Sequence, residues 1–306
     1  MAVYVLRRIL LLVPVLIGVS LVSFGLLQLV PGDPALILAG EEASEEVLIR
    51  IRQEYGLNRP LPVQFVSYLR HAVVGDLGIS IQSRQPVATL LGQRFPFTLK
   101  LAFLAILVSA TLGVVAGIVA ATRRNSPVDI AALLGSLVGI SLPIFWLGLL
   151  AILVFSVKLR WLPSGGAGTF AHLILPALVL GAASSAVIAR TTRASMLEVL
   201  RQDYVRTARA KGVSEWFVVC RHALTNAALP LVTVAGLQFG LLLGGAIITE
   251  TVFAVPGLGR LIVGAIRQLD FPIVQAGVFV LALIVVLVNF AVDMLYLYLN
   301  PQIRVH

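Results

Sequence analysis

The stretch AALPLVTVAGLQFGLLLGGAIIT, residues 227–249, decides the class of this protein. It runs 23 residues without a charge, and about 20 predominantly apolar residues suffice to carry a helix across the hydrocarbon core of a bilayer. Five further uncharged runs share that character, at 9–30, 101–122, 130–157, 173–189 and 271–292. Only 12% of the chain is charged, against about a quarter in soluble domains. The pattern predicts an all-α membrane protein with six transmembrane helices. The first run follows Arg7 and Arg8 as a signal peptide would, but its 22 residues exceed an ordinary signal core and no small-residue cleavage site follows; it reads as a retained helix. Gly139 and Pro143 interrupt the third run, whose 28 residues are too few for two crossings, so one tilted or kinked helix is expected there.

The formal charge of +9 raises nucleic acid as a partner. The arginines, however, fall in short groups between the apolar runs, where basic residues orient a membrane protein. With the N-terminus inside, the cytoplasmic groups are Arg7 and Arg8, then Arg123 and Arg124, then Arg190, Arg193, Arg201, Arg206, Arg209, Lys211 and Arg221, and last Arg304. The short outer loops hold Lys158, Arg160, Arg260 and Arg267. Both termini are expected in the cytoplasm, with lipid and not nucleic acid as the surrounding partner.

Several chemistries fall away. A single cysteine, Cys220, excludes an internal disulfide, and His71, His172, His222 and His306 are too scattered for a metal site. No nucleophile lies beside a base and no carboxylates pair within a span, so no catalytic residue is expected. A phosphate-binding loop needs a lysine followed by Ser or Thr after a glycine-rich turn. Lys100, Lys158 and Lys211 are followed by Leu101, Leu159 and Gly212. Any ATP-driven step therefore belongs to another chain.

Two segments lie outside the expected spans. The first, 31–95, opens on Val30-Pro31-Gly32-Asp33-Pro34, which stops a helix because proline removes a donor and restrains the residue before it. Ser44–Tyr55 then reads as a short helix, capped by Ser44, with Glu45 and Glu46 at its positive end and Gly56 closing it. The segment fits either a contact for a delivery protein or a packed surface cap. In the second, 191–226, Leu197, Leu200, Tyr204 and Ala208 share one helical face, with Arg201 at its edge and Arg206 and Arg209 pointing away. Gly212 supplies a stop and Ser214 a new cap, and Trp216, Cys220, Ala223 and Leu224 form a second apolar stripe. A basic amphipathic helix lies on anionic lipid. A helix pair broken at a glycine equally suits a cleft in a partner protein.

Within the spans, Gly236, Gly240 and Gly244 recur every four residues beside Gly245, a pattern of close helix packing. Gln238 sits among them and, as a polar side chain within a span, is the leading pathway residue. Ser184 and Asn289 are further pathway candidates, although, like Ser185, they also fit interhelical hydrogen bonds. Glu250 and Asp270 fall at outer ends, where solvated charge is expected.

Tyr204-Val205-Arg206-Thr207-Ala208-Arg209-Ala210-Lys211-Gly212, followed by Arg221-His222-Ala223-Leu224-Thr225-Asn226-Ala227, resembles the cytoplasmic loop of binding-protein-dependent ABC importer permeases of the dipeptide, oligopeptide, glutathione and nickel group. Val30-Pro31-Gly32-Asp33-Pro34, Gly75-Asp76-Leu77-Gly78 and Val255-Pro256-Gly257-Leu258-Gly259-Arg260 are similar to that group as well. The resemblance covers nearly the whole chain, and 161–258 is most similar to the glutathione importers. The general loop pattern begins with Glu-Ala-Ala six residues before the glycine, where this chain has Arg206-Thr207-Ala208, and it ends in proline, where this chain has Thr225.

The resemblance implies a type I ABC importer permease fold, a single permease domain over 1–306 with an extracytoplasmic segment over 31–95 and an ATPase-coupling loop over 191–226. It also implies a bacterial inner-membrane location. Tyr204, Arg206, Thr207, Ala208, Ala210, Lys211 and Gly212 would form the coupling set, docking around Ala208–Gly212 in a groove of an ATPase subunit. The implied partners are a second homologous permease, two ATPase subunits carrying ATP and Mg, and an extracytoplasmic substrate-binding protein. No cofactor is expected on this chain. The implied cargo is a small peptide of dipeptide, oligopeptide or glutathione type, with nickel as the alternative. A gradient-driven secondary transporter is the rival reading, but that class places ionisable residues at mid-membrane, and no span here carries Asp, Glu, Lys or Arg near its centre. A membrane scaffold without transport is a third.

Overall fold

A computed structural model of the protein describes residues 2–28, 35–36, 44–54 and 56–299. The described chain is helical, and its extended pairing is a single antiparallel bridge between Ile79 and Pro86. The helices in order are α1 (Ala2–Gln28), α2 (Glu45–Glu54), α3 (Leu61–Val73), α4 (Val87–Thr122), α5 (Pro127–Ser141), α6 (Ile144–Lys158), α7 (Ala171–Val199), α8 (Asp203–Ala210), α9 (Glu215–Val252), α10 (Leu258–Arg267) and α11 (Phe271–Leu299).

Four of these, α4, α7, α9 and α11, are long and apolar enough to cross a membrane. The remaining apolar stretches are shorter, Leu10–Gly25 within α1 and Ile144–Lys158 as α6. The third run thus differs from the single kinked helix expected. It is broken between Ser141 and Ile144, with Pro143 in an extended conformation (φ −60°, ψ 131°) as the cap of α6. Proline has no N–H to continue the α5 ladder and forces its predecessor out of the helical region, so it starts a new helix. The same residue type is absorbed inside α1, α4, α7 and α9 at Pro14, Pro96, Pro176 and Pro230. In consequence α4 begins at Val87, well before the uncharged run at 101, and takes the end of the 31–95 segment into a helix.

The short helix α2 forms between the expected end signals. The Ser44 carbonyl accepts from the amides of Val47 and Leu48 at 3.0 and 3.1 Å. Gly56 adopts φ +65° and Leu57 N–H closes back on the Arg52 carbonyl at 2.9 Å, the left-handed termination that glycine enters without penalty. The Val30–Pro34 stop lies outside the described residues.

The helices group into two compact units, one of Phe97–Pro256 with Val285–His306 and the other of Ala2–Pro96 with Gly257–Ile284. In the first, α7 is the centre: it packs against α9, α5 and α6. Its approach to α4 is so close that a Cβ on Gly181 would lie 2.5 Å from the Ala105 carbonyl oxygen, and one on Gly117 of α4 would lie 2.4 Å from the Thr192 Cβ. Leu101, Ala105, Ala177, Leu180, Leu242 and Ala246 fill the space where α4, α7 and α9 meet. In the second unit, Val87, Leu91, Leu258, Ala265, Ile273 and Ala276 form the core.

Two carboxylates expected in solvent are buried. Glu250 is wholly buried and accepts the Thr98 hydroxyl at 2.6 Å. Asp270, 1% exposed, receives three donors: the Ser80 hydroxyl at 2.5 Å and the amides of Ile81 and Gln82, both at 3.2 Å. A buried charge is costly unless it is hydrogen-bonded or paired. The protein meets that cost with partners distant in the chain, which no local pattern announces.

Candidate functional site

The loop between α7 and α9, expected to couple to an ATPase, grows directly out of that helix pair. Helix α7 runs on to Val199, the chain turns at 200–202, and α8 starts after Gln202 in an extended conformation. The continuous face expected from Leu197 to Ala208 therefore does not form, because the turn resets the helical register. Ala208 points inward as expected and Val205 joins it, 8% and 0% exposed, against Val218 with Val199, Leu200 and Val213 around them. Tyr204, expected on the apolar face, is 43% exposed.

The turn after α8 follows the expectation for glycine. Gly212 takes φ +76°, its amide donates to the Arg209 carbonyl at 3.0 Å, and the Val213 amide returns to the Ala208 carbonyl at 3.2 Å. Ser214 precedes α9 in the capping position, but its carbonyl and not its hydroxyl serves the helix, accepting Val218 N–H at 3.0 Å. The first turns of α9 widen into a π-helix over Val218–Ala223. Val218, Val219 and Ala223 face in, and Cys220 and Leu224 of the expected stripe pack beside Ala223, while Trp216 and Phe217 are exposed. Met196, Val219, Ala223 and Ala227 then pack with Ala121 of α4, so the loop is seated on the bundle.

One feature of the turn went unread in the sequence. Arg209 Nη2 and Nε meet Glu215 Oε1 and Oε2 at 2.6 and 3.1 Å, a bidentate bridge across Gly212. The six-residue separation matches no intrahelical spacing, which is why periodicity could not find it.

Of the seven residues expected to couple, Tyr204, Arg206, Thr207, Ala210, Lys211 and Gly212 lie on the exposed surface of α8 and its turn, and Ala208 is turned into the loop core. Thr207 Oγ1 donates to the Asp203 carbonyl at 2.9 Å, and Arg206 stands 3.6 Å from the Asp203 carboxylate in an exposed pair. The arrangement presents cations and small residues outward while apolar packing holds the helix from behind.

A second contact anchors α7 beside this loop. Asp129, in the first turn of α5, takes a bidentate bridge from Arg193 at 2.6 and 2.7 Å and the Asn125 amide at 3.0 Å. The Arg193 guanidinium, hydrogen-bonded to it, holds the Asp129 carboxyl below the usual carboxylate range. The available signal was Ser126-Pro127-Val128-Asp129, a helix-start signature of the capping-box kind.

The three pathway candidates gather along α9. Gln238 is buried, and its Nε2 donates to the Ser184 carbonyl of α7 at a long 3.4 Å. Asn289 of α11 lies against Gly240, its Oδ1 3.3 Å from where a Cβ would stand. Gly236 meets Val292 even more closely, whereas nothing lies within 4 Å of a Cβ on Gly244. The glycine stripe thus serves packing at its first two positions.

Comparison with known proteins is consistent along the chain. Residues 113–305 match the family described as binding-protein-dependent transport system inner membrane component, and residues 1–102 match the N-terminal region described for such membrane components. The glutathione transport system permease protein GsiC of Escherichia coli O6:H1 is 50% identical over 301 residues, covering 98% of both chains. GsiC of Escherichia coli strain K12 and of Shigella dysenteriae serotype 1 are 49% identical with the same coverage. Among solved structures, an inward-facing form of the MetNI methionine ABC transporter aligns with a TM-score of 0.61 at 20% identity, over 69% of this chain and 96% of that one. A second inward-facing crystal form gives 0.57 at 21% identity.

Proposed function

We propose, since the chain belongs to the family of binding-protein-dependent transport system inner membrane components, that it forms half of the pathway of a small-peptide importer and takes its driving force through α8. The chain is a permease subunit of an ABC importer. In the proposed assembly it pairs with a second homologous permease, two ATPase subunits bind ATP and Mg, and an extracytoplasmic binding protein delivers the cargo. Six crossings with both termini in the cytoplasm complete the reading, α1 and the broken α5–α6 stretch supplying the two beyond the four long helices. The cargo is glutathione or a similar short peptide, on the strength of the relatives' description.

The observation that carries the coupling role is the way α8 is hung. It follows α7 directly and leads through Gly212 into α9, and these two helices pack on each other. Its inner face is locked by Val205 and Ala208, and its outer face offers Tyr204, Arg206, Thr207, Ala210, Lys211 and Gly212. A displacement of α8 by an ATPase groove therefore moves both long helices, with Gln238, Ser184 and Asn289 riding on or beside them as pathway residues. Packed interiors transmit such a push because they resist compression.

Reconstitution in liposomes tests this. With both permeases, the ATPase subunits and the binding protein, glutathione uptake should require ATP and the binding protein together. Uptake that persists without the ATPase subunits and collapses with an ion gradient would reject it in favour of secondary transport.

A further inference from the structure

A single stretch of α7, residues 192–196, is gripped from three sides within the unit that holds α4 to α9. Thr192 lies so close to α4 that a Cβ on Gly117 would collide with it. Met196, 0% exposed, packs with Val219 and Ala223 in the first turns of α9. Between them Arg193 reaches across to α5 and donates twice to Asp129, the one charged residue of that helix. The Asp129 side chain is 3% exposed and that of Arg193 23%.

Elsewhere α5 touches its neighbours lightly. A Cβ on Gly139 would stand 3.9 Å from the Ala182 carbonyl oxygen of α7, and one on Gly135 would meet nothing within 4 Å. At its far end the helix stops at Ser141, and the extended Pro143 separates it from α6. No continuous helix therefore carries a movement of α6 into α5.

We infer that the Asp129–Arg193 bridge is the transmission link that makes α5 follow α7 when α8 is displaced. Loose apolar contacts allow helices to slide, whereas a desolvated ion pair resists separation, because each ion would be left buried without its partner. Two parallel hydrogen bonds fix orientation as well as distance. The bridge stands one turn before Met196, where α7 meets the start of α9, so a push on the loop between those helices reaches it through packed side chains.

This inference rests on the importer reading above, which supplies the displacement of α8. Asp129 and Arg193 act through the placement of helices and are positioning residues.

The test uses the complete transporter in proteoliposomes, with glutathione uptake and ATP hydrolysis measured on the same preparation. Wild-type uptake that does not depend on ATP rejects the importer reading itself. Given ATP-dependent uptake, the double variant Asp129→Asn/Arg193→Gln removes both charges and so leaves no orphan ion. It should assemble and hydrolyse ATP, yet carry about tenfold less glutathione per ATP. A bridge that only props the fold would lower uptake and hydrolysis together, and an unchanged ratio overturns the link. Should the double variant fail to assemble, Arg193→Lys, which keeps the charge but loses the two-pronged geometry, decides by the same ratio.

Discussion

The loop around Gly212 and the loop around Ser80 are held by opposite forces. The Gly212 loop rests on aliphatic contacts of Val205, Ala208 and Val218, and its ion pair, Arg209–Glu215, is 41% and 61% exposed. The Ser80 loop has its carboxylate buried, and hydrogen bonds to Asp270 decide its shape. Where water reaches a charge pair, solvation competes with it and the pair contributes little. Where water is excluded, the same chemistry becomes the determinant, because leaving its partners unsatisfied is expensive. The Gly212 loop spends its polar groups on local, exposed contacts, whereas the Ser80 loop uses them to fix its shape around a buried carboxylate.

The comparison is broken most severely at Gly212. Proline there would demand φ near −65° where the chain has +76°, remove the N–H bonded to Arg209, and disfavour the near-helical backbone of Lys211. Gly212→Pro is expected to abolish ATP-driven uptake while membrane insertion, read by fractionation, survives. Gly212→Ala sharpens the same point: with nothing within 4 Å of its Cβ, the cost is the left-handed backbone alone, about 1 kcal/mol, and uptake should persist.

The Ser80 loop comes next. Asp270→Ala leaves three donors without their acceptor, an expected loss of about 3 kcal/mol locally. Amide exchange at Ile81 and Gln82 should then accelerate by about a hundredfold. Unchanged exchange at those two amides would show that the clamp does not order the loop. The smallest effect belongs to Glu215→Gln, which removes an exposed bridge worth about 0.5 kcal/mol. The thermal unfolding midpoint should hold within the error of measurement, and a large drop would mean the Gly212 loop leans on its ion pair after all.

The membrane class, the approximate place of every long helix and the stop at Gly212 were legible in the residues, because length, lack of charge and glycine's conformational freedom are local properties. The family was legible through the resemblance of the loop around Gly212. The facing of that loop was legible in part: Leu200, Ala208, Cys220, Ala223 and Leu224 of the expected stripes pack inward, while Tyr204 and Trp216, beside the turn at 200–202 and just before the π-helix at Val218–Ala223, are exposed. A register read from regular periodicity cannot anticipate where that periodicity is broken.

By itself the sequence determined that this chain lives in lipid, carries no phosphate-binding loop of its own, and presents a basic helix–turn–helix between its fourth and fifth apolar runs. Tertiary structure alone decided which charges are buried. Asp270 meets Ser80 from 190 positions away, Glu250 meets Thr98 from 152, and Asp129 meets Arg193 from 64. A carboxylate beside an apolar run looks the same in the chain whether water or a hydroxyl will solvate it, and the choice is made only when distant helices close around it.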